Sequence, residues 1–498
     1  MYSKRSSARS AEPDPLRDVE ALNSAASDTV DPTSEKSNIS AGLGERKMLK
    51  VATTGNATLV AYDRKPVLAT DPWFGDEEPA YFGSWVLSHR IPQALKDDIA
   101  ACDYIWFSHG HPDHLNPTSV ERFKGKKILL ADHVGSRIYK DLSPNGFDVT
   151  ILPDRQWVTL TDKVRIHCIT TRIQDSILLV DVGGRLFINL NDAGTRDCSR
   201  YIRSISRHYQ HSYVLALSGY GDADMINIYR EDGSFVVPRA ARRPSVGAQL
   251  NNLSKATGAR AVIPFSSFHQ YQREDSLWAQ AYTTPPEAFQ QGISPHVEYI
   301  PPFSSVDCLT GRTETAHHDD LVVTPRPPGE FGDNWVDQLE PADTKAIEIY
   351  FARKEPVRKH FGFVTFRVGG KETTLKMEGR KDRGITFEVP RASLMTAVDY
   401  RIFDDLLIGN FMKTTLHGLR SLNEAPAEFN YSVAKYADNG TAETDQEIAK
   451  YLAEYRRRAG IDYLLSAFED QSRNFLARFA KQDTPLYRLM KELYISLR

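Results

Sequence analysis

Cysteine is scarce: four in 498 residues, at positions 102, 168, 198 and 308. None lies within four residues of another, which excludes a CxxC pair, a zinc knuckle and a disulfide scaffold. Long apolar runs are missing too. No stretch of about 18 apolar residues occurs, so no transmembrane helix is expected. Nor is there an excess of one charge. Sixty-two Lys+Arg against 65 Asp+Glu leave −3, whereas a nucleic-acid or anionic-membrane binder would carry a basic surplus. No apolar core follows MYSKRSSARS, so a secretory leader is not expected. Reduced thiols and no leader suggest a cytoplasmic protein whose partner is a small molecule, not nucleic acid or membrane.

What is present reads as globular protein. Residues 1–46 are rich in Ser, Asp, Glu and Ala and are expected to form a disordered tail, too poor in apolar groups to offset ordering entropy. From Met48 onward, short β-rich runs follow one another: LKVATT, TLVAYD, PVLATDPWF, YIWFSH, KILLAD, KVRIHCITT, SILLVDV and RLFINLND. Gly183-Gly184 between the last two is a hairpin signal. Helical patterns intervene near 95–101, 118–124 and 196–208, giving an α/β class with helices layered over sheets. Residues 47–310 form the expected catalytic domain, and 311–345, with its prolines and charges, a linker or wrapping loop. Residues 346–498 read as a separate α+β domain. There IEIYFAR, GFVTFRV, TTLKME and ITFEVP alternate like a small antiparallel sheet. Thr444 and Glu447 form a capping box, and a second amphipathic stretch runs from Ile461 to Phe479. No internal repeat is found.

The most informative segment is Ser108-His109-Gly110-His111-Pro112-Asp113-His114-Leu115-Asn116-Pro117. It follows the apolar strand YIWFS, and its prolines stop the chain from continuing as strand or helix. Imidazoles two apart in an extended turn can converge on one ion, while Asp113 and His114 project to a second position. Three His and one Asp in the pattern HxHxDH after a strand therefore predict a two-metal site of His109, His111, Asp113 and His114, the last two also the candidate catalytic pair.

This pattern resembles the metallo-β-lactamase superfamily, which implies an αββα sandwich with further ligands at later strand ends. Asp192 in RLFINLND fits the bridging acid, and His269 in AVIPFSSFHQY fits the last histidine. The ligand expected between the motif and Asp192 is either His167 or Asp175. A carboxylate there would shift the site toward oxygen-preferring iron or manganese. Within the superfamily, several stretches resemble the CMP-N-acetylneuraminate hydroxylases, patchily from about residue 65 to 425. They are Asp71-Pro72-Trp73-Phe74 with Gly83-Ser84-Trp85-Val86-Leu87-Ser88-His89, then Asp175-Ser176, Asn191-Asp192, Ser218-Gly219-Tyr220-Gly221, Pro264-Phe265 and Phe403-Asp404-Asp405-Leu406-Leu407-Ile408-Gly409. That family carries a Rieske cluster held by CxH and CxxH pairs. No cysteine here has a histidine two or three residues on, so no such cluster is expected in this chain.

The resemblance implies a dinuclear centre, iron favoured over zinc and manganese, that hydroxylates a polar small molecule with dioxygen. Electrons would come from a separate ferredoxin or reductase. The alternative is a hydrolase of a phosphodiester, ester or amide using metal-activated water; a non-catalytic scaffold is the third class. Trp73 and Trp85, with Phe74, Tyr81 and Phe82, would either wall a substrate pocket or form a core lid. Arg242 and Arg243 in PRAARRP would either clamp an anion or form a solvated basic turn. Asp404 and Asp405 are expected to cap or solvate a helix.

Overall fold

The computed structural model describes residues 48–75, 78–217, 225–237, 245–426 and 428–467. The expected tail 1–46, Arg242, Arg243, the turn 218–221 and the amphipathic stretch beyond 467 lie outside them.

Two large sheets face each other. The first runs, edge to edge, Thr313–Thr315, Ser304–Asp307, Leu49–Thr54, Thr58–Asp63, Lys65–Thr70, Tyr104–Phe107, Lys127–Ala131 and Asp148–Leu152. The second runs Glu298–Tyr299, Ala261–Pro264, His211–Ala216, Arg185–Asn191, Ser176–Val182, Val164–Thr170 and Trp157–Thr159. Successive side chains of a strand point to opposite faces, and here both faces are covered. Leu49, Val51, Leu59 and Ala61 meet Leu178, Val180 and Val182 in the core between the sheets. Their neighbours Val60, Tyr62, Ile177 and Leu179 join Ile99, Ile202 and Leu250 of the helices Gln93–Ala101, Ser199–Ser206 and Val246–Thr257. Burial on both faces is why SILLVDV reads as one apolar run. The layers make the αββα sandwich that the resemblance implied. The hairpin at Gly183-Gly184 forms as expected, with both glycines at positive φ and Val182 opposite Arg185.

A third sheet lies downstream: Ile228–Arg230, Lys413–His417, Arg380–Glu388, Phe361–Val368 and Lys371–Lys376. Its first strand comes from the part of the chain that builds the sandwich, so the third sheet is sewn into it. Two expectations change here. IEIYFAR is not a strand but part of the helix Pro341–Ala352. Pro341 opens that helix behind a Glu340/Asp343 capping box, and Ile347, Tyr350 and Phe351 bury at helical spacing, which outweighs a short alternation. The sheet is also mixed: Phe361–Val368 pairs in parallel with Arg380–Glu388, and Ile228–Arg230 in parallel with Lys413–His417. The expected linker 311–345 contains the edge strand Thr313–Thr315 and the start of that helix. Thr444 and Glu447 do cap the helix Asp445–Ala459. Among the described residues, no helix is long and apolar enough to cross a membrane.

Candidate metal centre

The HxHxDH segment leaves the C-terminal end of Tyr104–Phe107, a strand with parallel neighbours on both sides. Such strand ends open into the crevice where α/β proteins place their sites. Side-chain bonds shape the turn. Asn116 accepts from the backbone N–H of Thr118 and Ser119 and donates to the Pro112 carbonyl. The other loops are tied to it: Ser176 Oγ donates to the Ser108 carbonyl at 2.6 Å, and Asn191 Nδ2 to the Ser176 carbonyl at 2.8 Å. Asp71, Tyr81, Asn191 and Ser266 all hold positive φ beside this cluster, the kind of local strain that surrounding structure must enforce.

Each imidazole of the motif has one nitrogen engaged behind it. Ser108 Oγ lies 2.9 Å from His109 Nδ1, Asp404 Oδ2 lies 3.0 Å from His111 Nε2, and Asp71 Oδ2 lies 3.1 Å from His114 Nδ1. The opposite nitrogens face inward: His109 Nε2 and His111 Nδ1 are 2.9 Å apart, and His114 Nε2 lies 3.3 Å from Asp192 Oδ2 and 3.5 Å from Asp113 Oδ2. Asp192 is steadied by Ser266 Oγ at 2.8 Å. Asp113 receives Tyr81 Oη at 2.5 Å and Asn56 Nδ2 at 2.9 Å. His269 sits on the short strand His269–Tyr271 paired with Trp85–Leu87, its ring stacked 3.4 Å over Trp85.

The structure separates the two candidates for the remaining ligand. His167 is packed between Trp157 and Tyr201, with Nε2 3.0 Å from the Tyr201 hydroxyl. Asp175 is buried where Lys435, His111, Asp192 and His114 act on its charge, and its Oδ1 has no hydrogen-bond partner. Trp73 is fully buried and donates its indole N–H to the Glu78 carbonyl, so it belongs to the core; Trp85 alone of the pair reaches the site through His269. Asp404 and Asp405 are not solvated. Both are 3% exposed, because the first turn of Phe403–Ile408 faces the sandwich, where Asp404 meets His111. Asn56 and Lys435, and the roles of Tyr81 and Asp404, were invisible in sequence, since each acts across tens to hundreds of residues.

The residues fit metal ions. Ligand atoms of His109, His114 and Asp192 lie within 4.8 Å of one another. His114 Nε2 and both nitrogens of His269 are buried without a hydrogen bond, costly for polar groups that no ion engages. Charge points the same way. Burial opposes a proton on His114, yet Asp113, Asp192 and Asp71 hold its pKa well above the histidine range. Three carboxylates thus converge on one buried imidazole, a place suited to positive charge. His109 is pushed down by burial and by His114 and His111, as a neutral donor should be. A second trio, His111, Asp404 and Asp405, also offers atoms within 4.8 Å. There, however, the His111–Asp404 contact is itself a hydrogen bond, which already uses Nε2.

Of two cavities near these loops, one is lined by a candidate ligand. One of about 70 Å³ reaches His111, Asp404 and Asp405 between apolar walls that include Leu115 and Ile402. The other, about 170 Å³, lies between loops 171–173 and 193–198 and the helix Asp445–Ala459, and Arg155, Arg172, Arg196 and Arg456 line it.

No family model matches the chain. A cytidine monophosphate-N-acetylneuraminic acid hydroxylase of Danio rerio is 26% identical over 139 residues, 26% of this chain and 22% of that protein. A Mycolicibacterium smegmatis protein named for a Rieske 2Fe-2S iron–sulfur centre is 31% identical over 101 residues, 20% of this chain and 19% of that one. Among solved structures, CmlA, a diiron β-hydroxylase from Streptomyces venezuelae, aligns at 14% identity over 54% of each chain, with a TM-score of 0.34. The matched stretch spans about a fifth of the length of the curated relatives. Over that stretch the chain is similar to the CMP-N-acetylneuraminate hydroxylases, as its motifs implied.

Proposed function

We propose that this protein is a dinuclear metalloenzyme that hydroxylates a polar small molecule with dioxygen, and that its ions are iron. His109 Nε2, His111 Nδ1 and Asp175 would hold one ion and Asp113, His114 and His269 the other, with Asp192 between them. The observation that carries this reading is the buried, unpartnered Oδ1 of Asp175 in the place of a third imidazole. An oxygen donor there suits iron or manganese better than an all-histidine set, which suits zinc.

The bound ions would supply the oxidising chemistry; the chain's own groups do the rest. Asp71, Ser108 and Asp404 fix the histidine rings, and Tyr81 and Asn56 fix Asp113. The substrate would enter by the cavity that reaches His111, Asp404 and Asp405. Insertion of one oxygen atom into a C–H bond consumes dioxygen, two electrons and two protons and yields the alcohol and water. The electron source is taken to be a separate ferredoxin or reductase.

Elemental analysis with Mössbauer spectroscopy tests this. About two iron per chain, with oxygen consumed when reductant is supplied, is the expected result. Stoichiometric zinc with no oxygen uptake would overturn it. Turnover of a chromogenic phosphodiester that His111→Ala abolishes would then favour the hydrolase.

A further inference from the structure

The Phe403–Gly409 segment belongs to the downstream unit, yet its Asp404 reaches the metal centre. Asp404 Oδ2 lies 3.0 Å from His111 Nε2, with the Asp404 side chain 4% and the His111 side chain 13% exposed. The neutral imidazole has one proton and one lone pair, and whichever nitrogen carries the proton cannot bind an ion. Two groups compete for Nε2. A carboxylate there accepts Nε2–H and leaves the Nδ1 lone pair free; an ammonium there donates to Nε2 and drives the proton onto Nδ1. Lys435 Nζ is that ammonium, 3.5 Å from Nε2 and 3.5 Å from Asp404 Oδ2. The shorter, charge-assisted contact belongs to Asp404. His111 Nδ1 then accepts from His109 Nε2, 2.9 Å away, so its lone pair is directed at the neighbouring imidazole, and an ion between the two rings would take the place of that one proton. Asp71 holds His114 from behind in the same way, through Nδ1 at 3.1 Å.

We infer that Asp404 is a positioning residue that sets the tautomer of His111 and aims its Nδ1 at an ion, so the downstream unit completes the metal centre. This rests on the dinuclear reading above. Lys435 neutralises Asp404 without displacing it.

The test uses the full chain and metal content as readout. Wild type should retain two ions against graded chelator, and Asp404→Asn should bind one of them on the order of 10–100-fold more weakly, the usual effect of losing such a partner. In a His111→Ala background, Asp404→Asn should cause no further loss, which a merely structural role would not predict. Asp405→Asn removes an equally buried neighbouring carboxylate that makes no hydrogen bond to His111, and should keep both ions at wild-type affinity. Should Asp404→Asn fail to fold, the tautomer is read directly in metal-free wild type by long-range ¹H–¹⁵N correlation, assigned by its loss in His111→Ala. Nε2–H is expected, and Nδ1–H overturns the inference. Unchanged affinity in Asp404→Asn, equal loss in Asp405→Asn, or a third ion in wild type, which would make Asp404 a ligand, each overturns it as well. A wild type that binds no ion overturns the dinuclear reading itself.

Discussion

Arg273 offers the sharpest energetic test of how the site is braced. It lies four residues after His269 and is fully buried. Its guanidinium makes a bidentate pair with Asp275 at 2.8 and 3.1 Å, meets Asp333 at 2.7 Å, and donates to the Phe82 carbonyl at 3.0 Å. It also lies 3.9 Å over the ring of Phe411. One side chain thus joins the strand carrying His269, the residue after Tyr81, and the third-sheet unit. Arg273→Met preserves most of the volume and removes the charge. Asp333 would then be an uncompensated charge at 0% exposure, with Ser393 its one remaining donor among the described residues. Breaking a buried pair in this manner costs about 3–5 kcal/mol, and the stranded Phe82 carbonyl places the loss at the upper end of that range. Urea unfolding followed by tryptophan fluorescence reads it. The double variant Arg273→Met/Asp333→Asn removes the fully buried stranded charge and should recover part of the loss; Asp275, 18% exposed and still accepting from Trp335 Nε1 at 2.8 Å, is the carboxylate left without its guanidinium. A single-variant loss below about 1 kcal/mol, or no recovery in the double variant, would refute the reasoning.

Three other outcomes are expected. Gly83 has φ +90°, and a Cβ there would come within 2.2 Å of the Phe331 ring. Gly83→Ala should therefore lower stability by about 1–3 kcal/mol in thermal melts. His167→Phe should leave metal content by mass spectrometry at the wild-type level, whereas Asp175→Ala should lose one ion on dialysis; the reverse pattern would return His167 to the ligand set. Burial pushes His89 and His133 down to about 3, with His318 and Arg458 adding to the effect. Their folded-state pKa lies below the unfolded value near 6.5, so stability is full above pH 6.5 and falls with pH as the unfolded chain takes up protons. At pH 5 each costs about 2 kcal/mol relative to pH 7, and His133→Gln should flatten that slope in a pH series of melts.

Local patterns made much of this protein legible. The two-sided strands, the Gly183-Gly184 hairpin and the Thr444/Glu447 cap are each specified by residues within one element. The HxHxDH turn is likewise self-contained, with Asn116 supplying its internal bonds. IEIYFAR was misread because seven alternating residues satisfy a strand pattern, while the deciding features, Pro341 and the Glu340/Asp343 box, lie upstream of the alternation. The choice between His167 and Asp175 could not be made locally either. His167 lies on one of two paired strands and Asp175 in the turn between them, and the packing of Trp157 and Tyr201 around His167 holds it away from the centre.

Two of the segments that resemble the hydroxylases, those beginning at Asp71 and Phe403, were recognisable but chemically mute. Their carboxylates are separated by 333 positions in the numbering, Asp71 against Asp404. In space they do one job twice, each holding the outer nitrogen of a motif histidine at 3.0–3.1 Å. A carboxylate that orients a ligand leaves no spacing signal beside that ligand, because its constraint is on distance and not on chain position. The same logic accounts for the form of the whole molecule. The sandwich supplies the inward-facing donors, and residues on Asp71, Tyr81 and the downstream helix supply the groups that fix them. A sandwich without the downstream unit would keep His109 and His114 supported by Ser108 and Asp71. His111 would be left with no carboxylate behind it. The third-sheet unit therefore belongs to the metal centre by the same criterion that assigns Asp71 to it.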